Sequence, residues 1–217
     1  KPTLRPRPAP IKRRLSRRIP ARGKTSLPWI ITGRQKIATS IGKANNGRLI
    51  NGVALPRRGR GFRRIHSRRF YGTDKTIALI MHVGKKLDAR FPGTEPALIG
   101  SIAHKHGGPA GRHKSHQNGL DVDIAFLEKG NPKRRHYRGR VKPHELDYVK
   151  NWFLVETMVL TGEVNYIFIN RPILIGLRKQ ARKVGWSEKD LKRLFGNEDL
   201  KGRGRILRHW PGHGYHM

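Results

Sequence analysis

The distribution of charge is the feature that most constrains how this chain can fold. Residues 1–73 contain 21 Lys and Arg and no Asp or Glu, and the first acidic residue is Asp74. Like charges repel one another, and the six prolines within residues 1–28 further oppose compact packing. We therefore expect residues 1–35 to form an extended, largely disordered basic arm, and residues 36–217 to form the folded domain.

The amino-acid composition limits the classes of function that this chain could have. The formal net charge of +34 over 217 residues favours a polyanionic partner, which could be nucleic acid, anionic lipid headgroups or an acidic cell-wall polymer. The alternative is that the basic residues form a solvent-exposed surface without a specific partner. The absence of Cys excludes a disulfide scaffold and a Cys-type zinc site. No apolar run approaches the ~20 residues that a membrane-spanning helix needs.

From Asp74 onward the pattern is that of a globular domain. Apolar residues spaced by three and four predict helices over residues 74–87, 143–160, 171–184 and 187–195. Alternating or short apolar runs predict strands over residues 97–103, 120–127, 164–169 and 205–210. The helices and strands alternate irregularly. The sequence therefore predicts an α+β fold with a small, mainly antiparallel sheet flanked by helices.

Unusual polar residues concentrate in residues 111–123. Asp121 and Asp123 share one face of the expected strand, and His116 precedes that strand across a bend that Asn118 and Gly119 permit. An imidazole nitrogen and a carboxylate oxygen are a normal partial ligand set for zinc. On this segment alone an alternative stays open, in which the aspartates pair with nearby Lys or Arg and His116 is an ordinary turn residue.

The second unusual segment is the C-terminal one. Three of the eleven histidines, His209, His213 and His216, fall within residues 209–216. One interpretation is a disordered His-rich tail that binds metal weakly. The varied sequence around these histidines, which includes Trp210, makes that interpretation less attractive than a structured site.

Together the two segments resemble the penicillin-insensitive murein endopeptidases, within the LAS-type zinc peptidases. Residues 115–124 are similar to that family's Ser-His-x-x-Gly-Leu-Asp-x-Asp motif, and residues 212–217 to its C-terminal His-x-x-His-x-His motif. Residues 41–56 resemble its Ser-Ile-Gly, Asn-Gly and Ala-Leu-Pro segment, and residues 107–109 its Gly-Gly-Pro. The likeness covers residues 41–217, whereas the basic arm has no counterpart.

The resemblance implies a ligand set and a mechanism. His116 and Asp123 would bind Zn²⁺, and the third ligand would be the last His of the C-terminal motif, one position beyond Met217. We therefore expect the native protein to continue with that His. His216 would act as general base beside the zinc-activated water, with His213 supporting it and Asp121 steadying the strand.

The resemblance also implies a substrate and a location. The substrate would be the D-alanyl–meso-diaminopimelyl cross-link of peptidoglycan, and the protein would be periplasmic or exported and adopt the LAS-type peptidase fold. The basic arm would hold it on an anionic polymer or membrane surface, and no specific nucleic acid is expected. We expected an Arg where His104, Lys105 and His106 stand, so the group that stabilises the oxyanion is not assigned, and neither is the oligomeric state.

Two other functions are compatible with the sequence. A basic nucleic-acid-binding protein would explain the charge, although phosphate binding needs neither the paired aspartates nor the C-terminal histidines. A zinc-binding but non-hydrolytic relative would explain the metal motif with an incomplete ligand set.

Overall fold

The computed structural model describes residues 36–65, 67–111, 113–133, 136, 139–197, 206–214 and 216–217. The expected basic arm lies outside these residues, so the predicted domain boundary stays a prediction. The helices of the described part are α1 (Asp74–Arg90), α2 (Tyr148–Leu160), α3 (Arg171–Lys183) and α4 (Glu188–Phe195). None of them is both long and apolar enough to cross a bilayer.

Short strands complete the described fold. Antiparallel pairs join β1 (Thr39–Lys43) to β2 (Asn46–Ile50) and β3 (Val53–Ala54) to β6 (Tyr71–Gly72). A mixed three-stranded sheet contains β4 (Arg58–Gly59), β5 (Phe62–Arg64) and β7 (Ala97–Ile99), while β8 (Ile167–Ile169) and β9 (Leu207–His209) pair in parallel. The predicted α+β class is confirmed, with the strand residues divided among small sheets.

Capping side chains decide where two of the helices begin. Thr73 caps α1 by accepting a hydrogen bond from the backbone N–H of Thr76, and the helix continues to Arg90, three residues beyond the predicted end. The helix predicted over 143–160 is instead a 3₁₀ turn at Pro143–Glu145 followed by α2. Asp147 causes the break, because it lies in a non-helical conformation and caps α2 through the N–H of Lys150.

The core joins the helices to the segment that carries the aspartates. Trp152 of α2 packs edge-on against Trp186, at 5.5 Å between ring centroids, and stacks on Phe195 of α4 at 5.9 Å. Asn151 is fully buried, accepts a hydrogen bond from the backbone N–H of Leu127 and donates one to the carbonyl of the same residue. Helix α2 therefore fixes the chain just beyond the aspartates.

The continuous strand predicted over residues 120–127 is wrong. The segment makes only isolated bridges, from Ile124 to Ile99 and from Ala125 to His216, and Leu120 is 55% exposed. It changes partner every one or two residues, because Asp123 exchanges backbone hydrogen bonds with residues 100–101 while Ile124 exchanges them with Met217. None of these pairings is long enough to form a strand. The segment nevertheless lies between residues 98–101 and residues 216–217 and makes backbone contacts with both.

Candidate metal centre

A tight bend places His116 against the aspartate segment. Its backbone N–H donates to Asp121 Oδ2 at 3.0 Å, and its φ of +67° lies in the left-handed region that non-glycine residues rarely occupy. Gly119 follows with a φ of +77°, which a glycine adopts without strain. The bend expected at Asn118 and Gly119 therefore forms, and Asp121 supports its backbone.

Asp123 lies at the centre of the cluster. Its Oδ1 is 3.2 Å from His116 Nε2 and 3.3 Å from His216 Nε2. Asp123 is only 5% exposed, and both histidines are buried beside it. The structure thus brings together three residues that the sequence singled out from two distant segments. Their roles as ligands and base stay predictions.

His116 reaches Asp123 through a defined ring nitrogen. Its Nδ1 lies 3.1 Å from the carbonyl oxygen of Ile102, which can only accept a hydrogen bond. Nδ1 therefore donates to that carbonyl, and Nε2 is the ring nitrogen that faces the Asp123 carboxylate. A backbone partner of this kind is the usual way in which a protein orients a metal-binding imidazole.

His113 was not among the residues predicted to form the site, and it joins the cluster in the structure. One donor atom each from His113, His116 and Asp123 can be chosen so that all lie within 4.8 Å of one another. The rings of His113 and His116 meet edge to face, at 5.2 Å between centroids. The signal that could have identified His113 is its spacing, three residues before His116.

Arg69 brings a permanent positive charge to the same cluster. Its guanidinium donates to Ser101 Oγ at 3.1 Å and lies 3.3 Å from His113 Nε2. Arginine cannot accept a hydrogen bond, so His113 Nε2 is the acceptor and a metal bound there would have to displace Arg69. Residues 104–106 contain no Arg, so among the described residues Arg69 is an arginine that contacts the cluster through His113.

A turn anchored on β8 positions the C-terminal histidines. The N–H of His213 donates to the carbonyl of Trp210, and the carbonyl of His213 accepts from the N–H of Asn170, just beyond β8. The chain then pairs with the aspartate segment, where His216 bridges Ala125 and Met217 exchanges both backbone hydrogen bonds with Ile124. The rings of His213 and His216 lie 4.7 Å apart between centroids.

Burial and charge set the protonation of the cluster. Burial lowers the pKa of His216 to about 4, helped by the neighbouring imidazoles and opposed by Asp123. Burial likewise lowers the pKa of His213 and of His113. At neutral pH these three rings are uncharged and can donate a lone pair.

His116 and Asp123 form the charged pair of the cluster. Burial alone would lower the pKa of His116, but the hydrogen bond and charge of Asp123 outweigh it and raise the pKa above its usual value. Burial would raise the pKa of Asp123, but its contacts with His116 and His216 lower it. The carboxylate is therefore ionised, and a metal that bound His116 Nε2 would compete with a proton there.

The donor set and its spacing fit zinc. Zinc takes imidazole nitrogen and carboxylate oxygen at roughly 2.0–2.2 Å in a tetrahedron, which puts ligand atoms roughly 3.3–3.5 Å apart. The 3.2 Å between His116 Nε2 and Asp123 Oδ1 is close to that spacing. The carboxylate is ionised and buried, so a cation bound there would meet little competition from solvent.

The buried His–Asp cluster is therefore a candidate metal centre. Sequence comparison then identifies the family, because the profile of the penicillin-insensitive murein endopeptidases matches residues 40–183. The chain belongs to this family. The match includes His113, His116 and Asp123 and ends before the C-terminal histidines.

Curated proteins that are similar to this chain are named penicillin-insensitive murein endopeptidases. The penicillin-insensitive murein endopeptidase of Klebsiella pneumoniae (strain 342) is 32% identical over 154 residues, covering 63% of this chain and 54% of the relative. That of Escherichia coli O157:H7 (strain EC4115 / EHEC) is 30% identical over 168 residues, 76% of this chain and 55% of the relative. That of Haemophilus influenzae is 38% identical over 90 residues, 40% of this chain and 31% of the relative. The chain spans about half the length of the first two relatives.

Proposed function

We propose that this protein is a zinc-dependent endopeptidase that hydrolyses the D-alanyl–meso-diaminopimelyl cross-links of peptidoglycan. The observation that carries the proposal is the ionised Asp123 carboxylate, buried between His116 and His216 in a chain of the murein endopeptidase family. His116 and Asp123 are the proposed ligands. The family resemblance would assign the third ligand to the last His of the C-terminal motif, and His113 offers a donor atom within 4.8 Å of both proposed ligands.

The chain's own residues would support hydrolysis as follows. Bound zinc supplies Lewis-acid activation of water and of the scissile carbonyl. His216 is neutral at physiological pH, so it can accept a proton, and its low pKa makes the protonated ring a strong acid for the leaving amine. His213 packs against His216 and fixes its position. Arg69 offers a positive charge beside the cluster that can stabilise a developing oxyanion.

The test combines metal content with product analysis. Purified protein should contain about one zinc per chain by mass spectrometry and should convert cross-linked muropeptide dimers into monomers, as followed by chromatography. His116→Ala and Asp123→Ala should each lose bound zinc and at least 100-fold in rate, because each removes a ligand. The matched control is His209→Gln, which removes an exposed histidine and should change neither. Full activity in either ligand variant would overturn the assignment.

The same experiment separates the other two functions. A non-hydrolytic relative would bind zinc and cell wall without releasing monomers. A nucleic-acid-binding protein would bind duplex or RNA with nanomolar affinity and a steep salt dependence in the absence of zinc.

We also propose that residues 1–35 form a separate basic arm that holds an exported enzyme on an anionic cell-wall polymer or membrane surface. The support is the high density of Lys and Arg in that segment and the absence of any acidic residue from it. Deleting the arm should reduce retention on cell wall, most strongly at low salt, and leave the hydrolysis of small soluble muropeptides intact. Unchanged retention would remove this part of the proposal.

A further inference from the structure

The outer face of the β8–β9 pair is aromatic where a solvent-facing strand is usually polar. Ile167 and Ile169 of β8 and Leu207 of β9 point into the core, so the alternate residues face outward. The outward residues are Tyr166, Phe168, Arg208 and Trp210, which we call the aromatic face. Tyr166 is 43% exposed and Trp210 is 54% exposed.

The aromatic face is contiguous and well anchored. Phe168 lies 6.1 Å from Tyr166 and 5.7 Å from Trp210 between ring centroids, and the Arg208 guanidinium stacks 3.6 Å above the Tyr166 ring. The backbone N–H of Trp210 donates to the carbonyl of Ile169 at 3.0 Å. Isolated exposed apolar residues need no explanation, but three aromatic rings in contact indicate a binding surface.

The aromatic face leads directly to the candidate metal centre. His213 lies 6.4 Å from Trp210 and 6.0 Å from Phe168 between centroids, and His216 is the next ring, 4.7 Å further on. The ring of His213 therefore lies between Trp210 and His216, the histidine that contacts Asp123. A substrate bound at the centre would extend over this surface.

We propose that the aromatic face binds a pyranose ring of the glycan strand that carries the peptide being cleaved. This inference rests on the proposed function, because it assigns a subsite to the same substrate. The C–H groups on one face of a pyranose carry partial positive charge and are attracted to the negative face of an aromatic ring. Arg208 adds N–H donors that suit sugar hydroxyl and acetamido oxygens.

The separation of the two sites matches the length of the stem peptide that joins a cross-link to its sugar. Extended peptide spans roughly 3.3–3.6 Å per residue, so a stem of three or four residues covers roughly 10–14 Å. The two steps of 4.7 and 6.4 Å from His216 to Trp210 are comparable to that length. The sugar end of the stem thus reaches the aromatic face when the cross-link lies at Asp123.

The test compares two dimers that share the same cross-linked peptides. One keeps its disaccharides, and an amidase has removed them from the other. Trp210→Ala and Trp210→Leu should lower kcat/KM for the disaccharide dimer about tenfold, chiefly through KM, and change it less than twofold for the sugar-free dimer. Trp210→Phe should restore most of the loss, because it restores a ring. Ile175→Ala, which truncates an exposed apolar residue of α3, is the matched control and should change neither substrate.

Each outcome decides the inference. Equal losses on both dimers would overturn it in favour of a peptide or structural role, and unchanged rates on both would overturn it altogether. Loss of a concentration-dependent dimer in Trp210→Ala, without a substrate effect, would assign the face to a second copy of the chain. If the wild type cleaves neither dimer, the proposed function fails. Calorimetric titration with the uncross-linked disaccharide peptide then decides the subsite, which stands if Trp210→Ala abolishes binding and falls if it does not.

Discussion

The low pKa of His216 predicts a specific dependence of stability on pH. In metal-free protein, kept so with a chelator, His216 titrates near pH 4 when folded and near its ordinary value of 6.5 when unfolded. As the pH falls between these values, the unfolded state binds a proton that the folded state does not. The free energy of unfolding therefore falls over this window. A difference of about 2.5 pKa units corresponds to up to about 3 kcal/mol.

The assay compares wild type with His216→Gln by urea unfolding at pH 7.5 and pH 4. Subtracting the free energies of unfolding of the two proteins cancels the part of the cost that does not depend on pH. The difference reports the titration of His216 together with its effect on Asp123. We expect the advantage of the wild type over the variant to shrink by about 3 kcal/mol as the pH falls. His209→Gln, which replaces an exposed histidine outside the cluster, is the control. Parallel curves for His216→Gln would refute the assignment of a neutral, desolvated imidazole.

Two further predictions concern the framework of the site. Gly107→Ala should destabilise the fold by more than Gly93→Ala when both are measured by urea unfolding. The two glycines have φ of +69° and +77°, but a Cβ on Gly107 would lie 2.1 Å from the carbonyl oxygen of Gln117, whereas Gly93 has nothing within 4 Å. Equal effects, near the ~1 kcal/mol cost of a left-handed alanine, would contradict this geometry. Asn151→Leu should cost about 1–3 kcal/mol, because it leaves the N–H of Leu127 buried without its acceptor, whereas the carbonyl of Leu127 keeps the hydrogen bond from the N–H of Asp147. A smaller loss would show that the Leu127 N–H finds another acceptor.

Elements governed by local signals were predicted well. Helix α1 follows from the apolar spacing of Ile77, Ile80 and Val83, and helices α3 and α4 begin close to where Pro172 and Ser187 predict. These signals lie within a few residues of the structure that they specify, so no knowledge of distant contacts is needed. The break before α2 depends on one capping residue, Asp147, and the helix therefore begins at Tyr148 rather than at the predicted Pro143. Helix α1 ends three residues later than predicted.

The site was predicted in part, and the missing part depends on tertiary contacts. The bend that brings His116 to Asp123 could be predicted because Asn118 and Gly119 are local turn residues. Residues 120–127 were predicted to be a strand because apolar and polar residues alternate there. The residues with which they pair lie elsewhere in the chain, and each pairing is too short to form a ladder. Arg69 reaches the cluster from a basic segment with no distinctive spacing, and only the folded chain shows this.

The backbone pairing of Met217 with Ile124 affects when during synthesis the centre can assemble. The ribosome completes residues 113–123 long before it reaches residues 213–217, so a nascent chain carries the first half of the cluster with nothing opposite it. Asp123 then lacks His216, and the aspartate segment lacks the backbone partner that closes one of its edges. The candidate base therefore docks only after residues 113–123 have been synthesised, and any chain released before residue 213 lacks both His213 and His216.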